Sequence, residues 1–152
     1  MRKSIASIAL IERNREGEPQ WLAQWNPGWS GYHFVGGGKR PDESHRECLV
    51  REIEEELGLR DGVECRVSDR PRARLQYLRW SDRAQTVTEY AIEVFETELR
   101  APSAVEVEGP DGSNRWLSLS DIRIGRTPDG RAVSPTMGEL LERLARVESE
   151  SA

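Results

Sequence analysis

Residues 44–58, SHRECLVREIEEELG, specify one helix and both of its ends before anything else in the chain is considered. Ser44 followed three residues later by Glu47 is a capping box, and Gly58 stands where a left-handed residue closes a helix. On a wheel of about 100° per residue with Glu52 at zero, Leu49, Ile53, Leu57 and Val50 cover an arc from about 60° to about 160°, which must be buried. Glu56 falls at about 40° and Glu55 at about 300°, so three carboxylates border that arc, while Glu47 and Glu54, at about 220° and about 200°, face solvent. Such a helix is locally frustrated. Like charges three and four residues apart repel, and the negative end of the helix dipole disfavours carboxylates, by roughly a few tenths of a kcal/mol each. A glutamate-rich solvated face is the ordinary meaning of an acidic helix. Acids on the rim of a core, however, are partly desolvated and need a cation among them. Hard oxygen donors with no His or Cys among them favour Mg²⁺ or Mn²⁺, and Mg²⁺ commonly combines few protein carboxylates with waters and substrate phosphates. Phosphate chemistry at a divalent metal is the chemistry implied.

The rest of the chain supplies strands for this helix to pack on. Residues 4–11, SIASIALI, form a nearly continuous apolar run suited to a strand covered on both faces; the run is too short for a membrane span and passes straight into Glu12 and Arg13. RNREGEP reads as a charged turn, QWLAQW (20–25) as a second strand, and NPGWSG (26–31) as a loop leading into YHFVGGGKRPDES, whose three glycines permit close approach or positive φ. Residues 63–69, 72–80 and 85–99 have the β-branched and aromatic content of strands, the last two forming a hairpin through SDRA, and residues 101–114 read as a loop. RWLSL (115–119) is a last strand, with Ser120 and Asp121 as the cap of a short helix. Ser134 and Pro135 open a final helix whose Met137, Leu140, Leu141, Leu144 and Val147 make a core-facing stripe. Helices early and late around several strands predict an α/β domain with helices on opposite faces of a mixed sheet. At 152 residues, one domain spanning 1–152 is expected.

The charge of -5 argues against a protein that mainly grips nucleic-acid backbone, and RPRAR (70–74) is expected to be strand-edge surface. Cys48 and Cys65 stand alone, without spacing for zinc or a disulfide framework, which places the chain in a reduced cytoplasm with no membrane partner.

Gly37, Glu43, Arg51, Glu52, Ile53, Glu55, Glu56, Gly58 and Leu59 occupy every fixed position of the pattern G-x5-E-x7-R-E-U-x-E-E-x-G-U, U being aliphatic. By this complete box over residues 37–59, about a sixth of the chain, the sequence resembles the Nudix hydrolases, the MutT-like family. The order of elements and RWLSLSDI agree with it. The resemblance implies an α/β/α sandwich with a central mixed sheet, and hydrolysis of a phosphoanhydride in a nucleoside diphosphate linked to another group, with Mg²⁺ or Mn²⁺ as cofactor. By the same resemblance Glu52, Glu55 and Glu56, with the carbonyl of Gly36, would bind metal. Glu43 would support them, Arg51 would orient them by charge pairing, and Gly37 and Gly58 would make the turns. Family members differ in which carboxylate takes the proton from water; Glu89, Glu93, Glu96, Glu106 and Glu108 are candidates outside the box. Where many members read Pro-Gly-Gly, this chain reads Val35-Gly36-Gly37-Gly38, which removes no ligand.

Trp25, Trp29, Tyr32, His33 and Phe34 cluster before the box; Trp29, Tyr32 and His33 are the candidates for contact with substrate, since an aromatic face can stack on a base. A Nudix-fold sensor that binds a nucleotide without turnover is the alternative, against which the intact box counts. An isomerase on the same fold would need a Cys/Glu pair, and Cys48 reads as a packed side chain inside the helix. The substrate class stays open among nucleotide sugars, ADP-ribose and nucleoside triphosphates. A homodimer is also open, with Trp80 and Trp116 suited to an interface or to the core.

Overall fold

The computed structural model describes residues 1–28, 30–100 and 113–151. Its centre is a pair of parallel strands, β1 (Arg2–Leu10) and β8 (Thr86–Leu99), in register from Arg2 opposite Thr88 to Leu10 opposite Glu96. On the free side of β1 lies β5 (Gly36–Gly38), antiparallel; β8 is flanked by β7 (Ala73–Ser81) along its first part and β6 (Cys65–Val67) along its last. The second, antiparallel sheet is built on β3 (Glu18–Asn26), which pairs with β2 (Glu12–Arg15), β4 (Gly31–Phe34) and β9 (Asn114–Ser118).

The described residues also form three helices: α1 (His45–Leu57), α2 (Leu119–Ile124) and α3 (Pro135–Ser151). Alternation along β1 decides where they sit, because neighbouring side chains of a strand point to opposite faces. Ala9 and Ile11 join Leu49 and Ile53 of α1, with Phe95, in one core cluster. Leu10, with Ala6 and Ile8 packed beside it, joins Met137, Leu140 and Leu144 of α3 in the other. The expected arrangement therefore holds, with α1 and α3 on opposite faces of a mixed sheet. Leu49 and Ile53 are 0% and 1% exposed, and burying each stabilises the docked helix by about 1.5–3 kcal/mol.

Two local expectations are corrected, and one gains its detail. The close approach that three glycines permit is made to β1: Gly36, Gly37 and Gly38 pair with Ile8, Ser7 and Ala6. Instead of a simple turn, residues 12–21 make a hairpin, with Glu16 and Gly17 at φ 53° and 83° as the two-residue turn. The cap of α2 is Ser118, not Ser120 and Asp121: Ser118 Oγ accepts from Asp121 N and Asp121 returns the bond, a second capping box. Among the described residues no helix is long and apolar enough to cross a membrane.

Candidate active site

The ends of α1 are built as the sequence requires. Ser44 at φ -76° and ψ 167° accepts from Glu47 N at 3.1 Å, Glu47 accepts from Ser44 N at 2.9 Å, and Gly58 at φ 68° donates to Glu54 O. Arg51, at the middle of the helix, is the hub of the acid cluster. Its Nε and Nη2 grip both oxygens of Glu43 at 3.0 and 2.7 Å, and its Nη1 reaches Glu52 at 3.1 Å and Glu55 at 3.4 Å. Nη2 also donates to Gly38 O at 3.3 Å, so one guanidinium ties the preceding loop, the glycine strand and the helix together.

That grip, with a further bond from Arg40 N, holds the Glu43 carboxyl at about 2, below its usual 4.5. A carboxyl depressed in the folded state stabilises the fold above its usual range, and the contribution is lost as pH falls through about 2. We therefore expect the melting temperature of Glu43→Gln to fall below that of wild type at pH 7 and the gap to close between pH 4.5 and about 2 in thermal melts. A gap that is the same at both ends of that range would contradict the latch.

Glu56 is in the opposite situation. Burial, a hydrogen bond with Glu52 and the charge of Glu52 push its carboxyl well above the usual range, while the Gly36 N–H pulls the other way. Its Oε2 is buried without a hydrogen-bond partner among the described residues. Gln24 fixes the backbone beside it, donating from Nε2 to Glu56 O at 3.2 Å. The glycines make room for this pair. A Cβ on Gly37 would lie 2.5 Å from Glu52 Oε1, and one on Gly36, at φ 149°, would lie 2.2 Å from Ser7 O. Gly37 is thus required for space beside Glu52 rather than as a turn, whereas Gly58 is the left-handed turn expected.

Among the described residues no three Asp, Glu, His or Cys side chains converge tightly enough to hold a cation. Glu52 and Glu56 face one another, and Glu55, 53% exposed at its side chain, is drawn to Arg51. Carboxylates that repel take the nearest cation, which here is the guanidinium. The donor set fits a hard divalent ion all the same: two facing carboxylates, a buried oxygen lacking a partner, and a third carboxylate on the residue before Glu56 in the helix.

Glu52, Glu56 and Gly36 to Gly38 form one wall of a cleft of about 1060 Å³. His33 lines it and donates from Nδ1 to Phe34 O at 2.6 Å; burial lowers its pKa, which favours the neutral ring. Tyr32, the residue before it, is 0% exposed and packs edge-on against Trp25 in the core, with its hydroxyl accepting from Arg131. The structure thus places Tyr32 away from the cleft, as period-two alternation in β4 requires. Trp29 lies outside the described residues, as do Glu106 and Glu108. Glu89, Glu93 and Glu96 do not line the cleft and are engaged by Gln76, His45 and Arg72 respectively. Cys48 is fully buried, its Sγ 3.6 Å from Gly37 O. Trp116 lies beneath the Arg13 guanidinium, 4.4 Å from it, and Trp80 is 52% exposed.

Several lining residues escape any single-residue reading: Gln24, Arg2, Tyr77, Arg79, Arg83 and Tyr90. Also unanticipated is the tie between α1 and the sheet, in which His45 places Nδ1 3.0 Å from Ser7 Oγ and Nε2 3.3 Å from Glu93. Only strand register brings these groups together, so the one sequence signal for them is the alternation along β1 and β7.

The NUDIX domain family profile matches residues 2–137. The chain belongs to the Nudix family, and it is a hydrolase of that family. No curated protein matches it. Among solved structures it is similar to an Ap4A hydrolase of C. elegans, at 17% identity over 97% of this chain and 98% of that one, with a TM-score of 0.63. A MutT protein from Methanosarcina mazei Go1 aligns at 21% identity over 97% and 96% of the two chains, with a TM-score of 0.58. NrtR of Shewanella oneidensis, solved with a 27mer DNA, aligns at 14% identity over 96% of this chain and 62% of that one, with a TM-score of 0.58. At these identities the likeness is one of fold. Nudix hydrolases generally need divalent metal ions.

Proposed function

We propose that the chain, acting as a single cytoplasmic domain, hydrolyses a phosphoanhydride bond in a nucleoside diphosphate linked to another group, with Mg²⁺ or Mn²⁺. The observation that carries this is the half-buried pair Glu52 and Glu56, with one buried, unpartnered carboxylate oxygen on Glu56, at the wall of an open cleft. Glu52, Glu55 and Glu56, with the backbone of Gly36, hold the cation in this account, which when bound offsets charge on the phosphate oxygens and activates water. Arg51 and Glu43 are positioning residues: they fix the carboxylates relative to the glycine strand and do not touch substrate. The Gly36 to Gly38 backbone admits the phosphate chain close to the acids, because no side chain stands there. His33, neutral and in the cleft wall, contacts the nucleoside portion. The binding partner is a small molecule; neither nucleic acid nor membrane enters the reaction, and a homodimer is compatible with the same site.

The test is nucleotide or phosphate release from a panel of nucleoside diphosphate derivatives with and without Mg²⁺ or Mn²⁺. Release that requires the metal is expected. Tight binding of the panel with no release under any metal would instead make the protein a nucleotide sensor.

A further inference from the structure

Strand register turns the floor of the cleft into a series of chemically distinct rows. Nearest the glycine strand, Ile8 lies level with Val94 and Ala73, then Ala6 with Ile92 and Leu75. Beyond them Ser4 lies level with Tyr90 and Tyr77, and the last row is Arg2, Thr88 and Arg79. Because Gly36 and Gly38 pair with Ile8 and Ala6, the acidic pole sits at the first two rows. Arg2 is four to six residues further along the same strand, about 13–20 Å at about 3.3 Å per residue. The cleft therefore has an acidic pole, a stacked pair of tyrosines 5.3 Å apart, and a basic pole.

The three arginines of that basic pole are not equivalent. Arg79 is neutralised by an ion pair with Glu139 of α3. Arg2 has no carboxylate partner among the described residues; its Nη1 donates to the hydroxyl of fully buried Thr88 at 3.2 Å, which fixes the guanidinium without cancelling its charge. Arg83, in the β7 to β8 hairpin, likewise has no carboxylate partner among the described residues, while its neighbour Asp82 accepts from Trp80 Nε1 at 3.1 Å. A guanidinium anchored by a neutral group and facing an open cleft is preorganised for a bidentate oxyanion.

We propose that the basic pole is a second anion subsite, in which Arg2, assisted by Arg83, holds a phosphoryl group separate from the phosphoanhydride that is cleaved. Once the reach of the side chains at both poles is allowed for, one nucleoside bridges the gap, with its sugar and base along the tyrosine row. The substrate class is accordingly a nucleoside diphosphate derivative that carries a further phosphate on its nucleoside. This inference rests on the hydrolase reading above and narrows it.

Two pairs of compounds that differ by one such phosphate test the proposal: coenzyme A with 3′-dephospho-coenzyme A, and NADPH with NADH. Affinity is measured by calorimetry and turnover by product release, for wild type, Arg2→Gln, Arg83→Gln and Arg66→Gln, the last an exposed arginine of β6 outside the cleft. The phosphorylated member of at least one pair is expected to bind wild type about tenfold tighter or more, with the difference in KM rather than kcat. That ratio should fall to near one in Arg2→Gln, fall partway in Arg83→Gln, and persist in Arg66→Gln. Equal affinity for both members of each pair in wild type, no binding of any of the four, or a ratio unchanged in Arg2→Gln overturns the subsite. Preference without hydrolysis would keep the subsite and overturn the hydrolase reading, whereas hydrolysis without preference would do the reverse.

Discussion

Replacing Glu56 by Gln is expected to lower kcat/KM by roughly 10²–10³-fold, the scale associated with loss of one preorganised electrostatic group, while leaving the protein as stable as wild type or more so. The two halves of this expectation have one cause. Glu56 is half-buried against Glu52, its pKa is pushed up by that partial burial and by the neighbouring charge, and its buried Oε2 has no partner among the described residues. An uncompensated buried carboxylate opposes folding, and an amide of the same shape removes the charge while keeping the volume. A group retained at a cost to stability is retained for what it binds. Steady-state kinetics and thermal melts on one preparation check both halves. Activity within tenfold of wild type would remove Glu56 from the site, and a melting temperature lowered by several degrees would mean that the carboxylate is a structural partner.

Gly36→Ala has the other large expected effect, and it falls on folding. The residue stands at φ 149°, and an added Cβ would meet Ser7 O at 2.2 Å, a backbone atom of the central strand that cannot turn aside. Backbone strain and forced displacement together should cost about 3 kcal/mol or more. Its neighbours separate space from flexibility. At Gly37 the obstacle is the movable carboxylate of Glu52, so Gly37→Ala should fold and lose activity; at Gly38 nothing lies within 4 Å, so Gly38→Ala should change neither. Urea denaturation of the three variants tests the order. If Gly36→Ala proved no less stable than Gly38→Ala, β5 would not be held against β1 as described.

What was legible in the sequence was local. The caps of α1, the burial of Leu49 and Ile53, and the placing of Glu52 and Glu56 on the border of the apolar arc follow from a period of 3.6 and from residues within one helix. The departure of Glu55 toward Arg51 does not, because it depends on a side-chain rotamer rather than on the helix wheel. Nor does the fate of the glycines, since propensity cannot report that β1 leaves an edge only a bare backbone can reach. Tyr32 and His33 were equivalent as aromatic neighbours before a box. A strand sends successive side chains to opposite sides, so one is core and the other lines the cleft. The rows from Ile8 to Arg2 depend on β1 pairing with β8, which is some 85 residues away in sequence, and no local pattern encodes that register.

The most direct test of metal-dependent phosphoanhydride hydrolysis is ³¹P NMR of the reaction in ¹⁸O-labelled water, using the best-bound member of the panel, with and without Mg²⁺. Two new phosphate resonances are expected to appear only with the metal, one of them carrying the isotope shift, and both should grow roughly 10²–10³-fold more slowly in Glu56→Gln. A spectrum that shows bound substrate unchanged in wild type with Mg²⁺ and with Mn²⁺ would contradict the hydrolase reading.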